Sequence, residues 1–158
     1  MFRLDEGLNA SARHVADRLG VPPTVHLSRP ALDDPVRWVA SEVAVRGRGF
    51  GWTLRVRCPL DVALELARLD DGGRDDEISE EHALRTVTAL VTDMARQWCE
   101  RARTQDLRCE AKPPLTVAQE CLGSGADLET PRHARRWVSH GSRDLAIVET
   151  APAPARAR

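Results

Sequence analysis

The chain is poor in aromatic residues and has no excess charge of either sign. Aromatic side chains make up 4% of its 158 residues, with four Trp, two Phe and no Tyr. The 23 Lys and Arg residues nearly balance the 24 Asp and Glu residues, so the formal net charge is -1. Without a basic or acidic surplus, a nucleic-acid partner or an acidic membrane surface has no electrostatic support.

Long hydrophobic runs and closely spaced cysteines are missing as well. No apolar run has the length of a transmembrane helix, and charged residues are scattered through the first twenty positions. We therefore expect no membrane span and no secretory signal. The four cysteines, at positions 58, 99, 109 and 121, form no C-x-x-C pair, whereas structural zinc sites use close ligand pairs. We expect reduced, mostly buried thiols, no metal, no cofactor and a cytoplasmic protein.

Hydrophobic periodicity predicts a mixture of helices and strands. Apolar residues at helical spacing run over 6–19, 59–69 and 79–103, with Ser79 as a helix cap. Alternating patterns predict strands over 24–27, 37–45, 50–58, 107–111, 115–118, 132–140 and 143–149. Short turns between sequential strands favour antiparallel pairing. We therefore predict an α+β fold with a largely antiparallel sheet, helices packed on one face and one long central helix.

The length predicts a single domain over residues 1–149. One domain of about 150 residues buries roughly 70% of its unfolded surface, whereas two cores do not fit in so short a chain. Residues 150–158 are rich in Ala, Pro and Arg and cannot supply a core. We expect them to form a disordered tail.

Several local pieces follow one another in a distinctive order. A first helix ends in Leu19-Gly20, a hairpin covers 38–58, and a helix that starts at Pro59 precedes the long helix 79–103. Next come a Pro-Pro break at 113–114 and a closing hairpin whose second strand includes residues 143–148. This order resembles the CheX branch of the CheC/CheX/FliY chemotaxis phosphatases over roughly residues 11–149. The resemblance implies a CheX-like fold and a place in bacterial chemosensory or two-component signalling.

The long helix holds the residues that matter for the family's chemistry. Family members carry a Glu and, three residues on, an Asn followed by Met. The resemblance implies that this Asn orients the water that attacks a response regulator's aspartyl-phosphate, and that the Glu pairs with the regulator's Lys. Aligning Met94 with the family's Met places Leu90 at the Glu position, Asp93 at the Asn position and Gln97 where a Gly belongs. The E-x-x-N motif is therefore degenerate in this chain.

These replacements argue against phosphatase activity. Leu90 has no charge with which to hold a Lys, and an ionised Asp93 offers only acceptors beside an anionic phosphoryl group. At about 100° per residue, Asp93 lies opposite the apolar stripe, together with Thr86 and Gln97, and Leu90 lies on the flank. We therefore predict a partner-binding site formed by Thr86, Leu90, Asp93 and Gln97, in which Asp93 is the sole catalytic candidate. In the alternative interpretation, Asp93 is a solvated surface residue and Leu90 a margin of the core.

Three functions remain open. The first is a non-catalytic CheX-like adaptor that binds a response-regulator receiver domain or another copy of itself. The resemblance implies such a homodimer, because CheX-type proteins associate through their sheets. The second is an active aspartyl-phosphate phosphatase that uses Asp93, and the third is a structural assembly domain outside phosphosignalling. If Leu90 and Asp93 are outward or marginal, restoring Glu and Asn at these positions leaves folding nearly unchanged.

The tryptophans and one Arg-rich stretch lead to further expectations. Trp52 and Trp98 fit core faces, whereas Trp38 and Trp137 lie either in a core or on a partner-facing surface of the sheet. The arginines within 132–136 indicate either a solvated strand edge, which we favour, or a docking patch for an acidic partner.

Overall fold

The structure of the protein, a computed structural model, describes residues 4–22, 24–26, 36–72, 77–105, 107–122 and 134–152. Three helices and seven strands lie within these ranges. The helices are α1 (Leu4–Leu19), α2 (Leu60–Asp70) and α3 (Glu80–Arg103). The strands are β1 (Thr24–His26), β2 (Val36–Gly47), β3 (Phe50–Pro59), β4 (Cys109–Ala111), β5 (Leu115–Leu122), β6 (Ala134–His140) and β7 (Arg143–Pro152).

The seven strands form one sheet in the order β1-β6-β7-β3-β2. Two strands then share the remaining side of β2: β4 pairs with residues 45–47, and β5 pairs with residues 36–42. Every one of these pairings is antiparallel. The predicted α+β fold with a largely antiparallel sheet is therefore confirmed.

The β2–β3 hairpin is longer than its sequence pattern predicts. Pairing runs from Trp38 opposite Pro59 to Gly47 opposite Phe50, so that only Arg48 and Gly49 remain in the turn. Gly49 has a φ of 81°, a left-handed conformation that costs glycine little and that tight hairpin turns require. The predicted strands leave residues 46–49 as a four-residue connection, but the structure has a two-residue turn. Gly49 adopts the conformation that so short a turn needs, so the two strands pair up to both ends of the turn.

One face of the sheet packs against all three helices. On β2 and β3, alternate residues such as Val39, Val43, Leu54 and Val56 point toward the helices and join the main core. The helices contribute the buried sides of their apolar stripes to the same core. The prediction of helices on one face and one long central helix is confirmed.

The long helix α3 begins where its sequence predicts. The Ser79 side chain accepts a hydrogen bond of 3.1 Å from the backbone N–H of His82. Glu80 and Glu81 follow in the first turn, where the partial positive charge of the helix N-terminus favours anions. The predicted cap is therefore confirmed, and the helix continues to Arg103.

The opposite face of the sheet carries a second, smaller buried cluster. It consists of Trp38, Trp137 and Ile147, whose side chains are at most 6% exposed. Trp38 and Trp137 are therefore buried in a core, and the hypothesis that they lie on a partner-facing surface is wrong. Trp98 is buried in the main core as predicted, and Trp52 packs against it with ring centroids 6.1 Å apart.

The two described arginines of the Arg-rich stretch are largely buried on strand β6. Strand β6 pairs with β7 from Ala134 to His140, whereas β1 covers only residues 137–139 on its other side. The Arg135 and Arg136 side chains are nevertheless only 12% and 9% exposed, so both the solvated-edge hypothesis and the docking-patch hypothesis are wrong for these two residues. Arg136 is 8% exposed and donates to Asn9 Oδ1 at 2.9 Å and to Asp5 Oδ1 at 2.8 Å. The sequence could not show this, because both partners lie on α1. Arg132 lies outside the described residues.

The C-terminal strand is longer than its sequence predicts. Strand β7 continues to Pro152, and Leu54 of β3 pairs with Thr150. Residues 150–152 therefore do not belong to the expected tail, because β3 offers them a pairing partner. Residues 153–158, and residues 73–76 of the acidic loop, lie outside the described residues. None of the described helices combines the length and apolar character that crossing a membrane demands.

Candidate partner-binding site on the long helix

The exposed side of α3 carries two of the predicted site residues. The Asp93 side chain is 41% exposed, and Gln97 lies one turn further along and is also exposed. Residues four apart are neighbours on a helix surface. The two side chains therefore lie on the same strip of α3 and are accessible together.

Asp93 is the centre of a small ion-pair cluster. Its Oδ2 atom lies 3.5 Å from Nη2 of Arg18 on α1, and its Oδ1 atom lies 3.7 Å from Nη1 of Arg96. Arg18 also approaches Asp70, the last residue of α2, with Nη1 3.8 Å from Oδ1. We call Arg18, Asp70, Asp93 and Arg96 the Asp93 cluster. It joins the surfaces of all three helices.

The ion pairs of the Asp93 cluster are weak. All four side chains are between 41% and 69% exposed, so water screens their charges. Exposed pairs of this kind contribute at most about 1 kcal/mol each. Either arginine can therefore leave Asp93 for another anion at little cost in free energy.

His14 lies beside the cluster on α1 and is half-buried. Burial, and then the positive charge of Arg18, lower the pKa of His14 below 6.5, while Asp93 and Asp17 oppose this change. The Nε2 atom of His14 is buried and has no hydrogen-bond partner among the residues that the structure describes. This environment favours the neutral imidazole.

Leu90 does not belong to the exposed strip. Its side chain is 2% exposed and forms part of the main core, so the prediction that it contacts a partner is wrong. The apolar stripe of α3 is wider than a sheet alone would require, because α3 packs against α1 and α2 as well as β2 and β3. The alternative interpretation of Leu90 as part of the core describes this chain better.

Thr86 is not exposed either. Its side chain is 8% exposed, and its hydroxyl donates a hydrogen bond of 3.0 Å to the backbone carbonyl of His82. The prediction that Thr86 lines a partner-binding surface is therefore wrong as well. The helical wheel placed Thr86 opposite the sheet, but it took no account of the neighbouring helices.

Two arginines of the Asp93 cluster were missed by the sequence reasoning. Arg96 lies three residues after Asp93, a spacing that already indicates a pair on one helix face. Arg18 lies 75 positions away on α1, and no sequence pattern relates it to Asp93. Only the packing of α1 against α3 brings the two side chains together.

The cluster has a defined chemical capacity. It presents one carboxylate, which accepts hydrogen bonds when ionised, between two guanidinium groups that donate them. Guanidinium groups bind phosphate and carboxylate oxygens well. A second carboxylate three residues before Asp93 is lacking, because that position is the buried Leu90.

Solved structures share the arrangement of helices and sheet. The chain is similar to the chemotaxis protein CheX from Desulfovibrio desulfuricans, with a TM-score of 0.66 and 10% identity over 94% of this chain and 97% of that one. The chain has a CheX-like fold. It is also similar to a chain of the CheX-CheY-BeF3-Mg+2 complex from Borrelia burgdorferi, with a TM-score of 0.64 and 15% identity over 96% of this chain and 99% of the other.

The predicted resemblance to the CheC/CheX/FliY group is confirmed for the fold. A chemotactic CheC-like protein from Shewanella oneidensis has a TM-score of 0.61 and 16% identity, with coverage of 94% and 96%. No protein-family model matches the sequence, and no curated protein matches it. The similarity to known proteins therefore rests on the fold. The degenerate E-x-x-N motif stays a prediction from the residues of α3.

Proposed function

We propose that this protein is a non-catalytic CheX-like adaptor in bacterial chemosensory or two-component signalling. It binds the receiver domain of a response regulator through the Asp93 cluster and Gln97. The observation that carries the proposal is the burial of Leu90, which is 2% exposed where the catalytic Glu of the resembled family belongs. A buried Leu offers a receiver domain neither a charge nor a hydrogen bond.

The charges around Asp93 support an anionic partner surface. An aspartyl-phosphate is strongly anionic, and Asp93 alone would repel it. Arg18 and Arg96 lie within 3.7 Å of Asp93 and are held there only by weak, exposed ion pairs. Both guanidinium groups can re-pair with a phosphorylated partner, which makes binding electrostatically favourable.

The comparison with a known complex supports a receiver domain as the partner. The similar chain from Borrelia burgdorferi comes from a complex that contains CheY, beryllium fluoride and magnesium. The two chains are 15% identical, so the comparison supports a receiver domain as the partner to test. The chemistry of binding is argued from the residues of this chain alone.

An active phosphatase that uses Asp93 is the second candidate. The two arginines beside Asp93 favour it, because cations offset the repulsion between a carboxylate and a phosphoryl group. Against it, an ionised carboxylate cannot donate the hydrogen bond that an Asn amide offers to water or phosphate.

Binding is tested with purified receiver domains, with and without beryllium fluoride and Mg²⁺. We expect Arg96→Glu to weaken binding of the activated receiver about tenfold, because repulsion replaces attraction at the interface. Arg48→Glu is the matched control: it makes the same charge change in the exposed β2–β3 turn and should leave binding unchanged. Equal affinities for both variants would rule out the Asp93 cluster as the interface.

Turnover separates the adaptor from the phosphatase. Phosphorylated receiver domains are mixed with the wild-type chain or with Asp93→Ala, and loss of the phosphoryl group is followed. The adaptor proposal expects no acceleration by either protein. Acceleration that disappears in Asp93→Ala would establish the phosphatase. Self-association without binding to any receiver domain would favour the structural assembly function instead.

A further inference from the structure

Two cysteines line a cleft that the proposed function does not use. Cys99 lies in the last turns of α3, and Cys109 is the first residue of β4. Both are free and half-buried, and both line a cleft of about 780 Å³ together with Arg103 and Arg108. Because both side chains line this one cleft, each thiol lies near the other.

The chain holds these thiols together through ordered backbone. After α3 ends, the N–H of Thr104 donates to the carbonyl of Glu100 at 3.2 Å, and the N–H of Leu107 donates to that of Ala102 at 2.9 Å. Strand β4 then pairs with residues 45–47 of β2, where Cys109 lies opposite Gly47. The proximity of the two thiols therefore follows from the packing of β4 against the end of α3.

We propose that Cys99 and Cys109 form a redox-active dithiol, which an anionic low-molecular-weight disulfide oxidises to an intramolecular disulfide. The two exposed arginines of the cleft supply the attraction for an anionic oxidant. Glu110 is a nearby negative charge that opposes this attraction. Its carboxylate is paired with Lys112 at 3.3 Å, which offsets that charge. This site does not depend on the proposed binding of a receiver domain.

The reaction balances in two exchange steps. The thiolate of one of the two cysteines attacks one sulfur of the oxidant, which forms a mixed disulfide and releases the first small thiolate. The thiolate of the other cysteine then attacks the cysteine sulfur of that mixed disulfide and releases the second small thiolate. The two protons of the cysteine thiols pass to the two leaving thiolates. The dithiol loses two electrons and the oxidant gains them.

The environment of the thiols slows the first exchange and favours the second. Burial, followed by the neighbouring Cys109 thiol, raises the pKa of Cys99 to about 12. Because the thiolate is the nucleophile, attack by Cys99 on a free oxidant is slow. The second exchange is intramolecular, because both thiols line the same cleft.

The experiment treats the full wild-type chain with glutathione disulfide and maps its cysteines by mass spectrometry. We expect the chain mass to fall by two hydrogens, with the peptides of Cys99 and Cys109 joined. Cys58 is the internal control, because it is fully buried and should remain a free thiol. Stable mixed disulfides on the wild-type chain, a disulfide between two chains, or no reaction at Cys99 and Cys109 would each overturn the proposal.

Two single variants test the two-step route. Cys99→Ser should retain a mixed disulfide at Cys109, because the second step is blocked. Cys109→Ser should retain a mixed disulfide at Cys99 for the same reason. Failure of both variants to retain a mixed disulfide would overturn the two-step route.

A charge variant tests the role of the cleft. Arg103→Gln with Arg108→Gln should slow oxidation by glutathione disulfide several-fold and leave oxidation by the neutral hydroxyethyl disulfide unchanged. An equal loss with both oxidants, or no loss with either, would overturn the assignment of an anionic oxidant. Comparing the two oxidants separates charge from any change in the structure of the cleft.

Discussion

At the scale of single residues, Leu90 and Asp93 differ sharply although they are three positions apart on α3. Leu90 is 2% exposed, while the Asp93 side chain is 41% exposed and paired with two arginines. Replacing each residue by the one that the resembled family carries at that position therefore has very different consequences for stability.

We expect Leu90→Glu to destabilise the protein by about 3 kcal/mol or more, because it removes a buried apolar group and places a carboxylate in the core. Asp93→Asn should change the free energy of unfolding by no more than about 0.5–1 kcal/mol, since its ion pairs are exposed. Urea unfolding of the two single variants measures both values. A neutral Leu90→Glu would mean that α3 is rotated away from the described packing.

This expectation corrects the one drawn from the sequence alone. A helical wheel assumes that a helix is buried on one side only, and on that basis both substitutions are harmless. In the structure α3 is covered by α1 and α2 in addition to the sheet. The double variant is therefore unsuitable for restoring the motif without loss of stability.

At the scale of elements, a buried charge network joins three neighbouring strands. Glu149 of β7 is 2% exposed, and its Oε1 atom lies 3.1 Å from Nε of Arg57 on β3 and 3.6 Å from Nε of Arg135 on β6. Ions in such positions are stabilised by their partners and carry a large desolvation cost if one partner is removed.

Glu149→Ala should destabilise the protein by about 3–5 kcal/mol, because Arg57 and Arg135 would keep their charges in a buried site. Glu110→Ala is the control: its exposed pair with Lys112 is worth at most about 1 kcal/mol. Chemical denaturation compares the two variants. Similar free energies of unfolding would show that solvent reaches Glu149 and screens it.

At the scale of the whole molecule, His14 links folding to pH. Burial lowers the pKa of His14 below 6.5, so the unfolded chain binds more protons than the folded protein near that pH. The contribution of His14 to the free energy of unfolding is therefore present above pH 6.5 and is lost as the pH falls through the pKa of His14 in the folded protein.

We expect the free energy of unfolding of the wild-type chain to fall between about pH 8 and pH 5.5, and His14→Gln to remove part of that fall. Urea titrations across this range measure the difference between the two proteins. An identical slope in the variant would show that His14 does not contribute. The comparison also cancels the contribution of the other histidines, which both proteins share.

The sequence by itself determined the elements and their order. The stripe of α3, the Ser79 cap and the alternation in β3 are local patterns, and each predicted element was found within a few residues of its expected place. Periodicity reports which side of an element is apolar, and short turns favour antiparallel neighbours. The α+β fold therefore follows from the sequence alone.

Only the tertiary structure decided which polar residues meet. Arg18 and Asp93, Arg136 and Asp5, and the two thiols of Cys99 and Cys109 come from different elements. The width of the buried side of α3, which removed Leu90 and Thr86 from the surface, also depends on neighbours distant in sequence. The physical reason is that side-chain contacts between elements depend on how the elements pack. A local sequence pattern does not specify which other element it packs against.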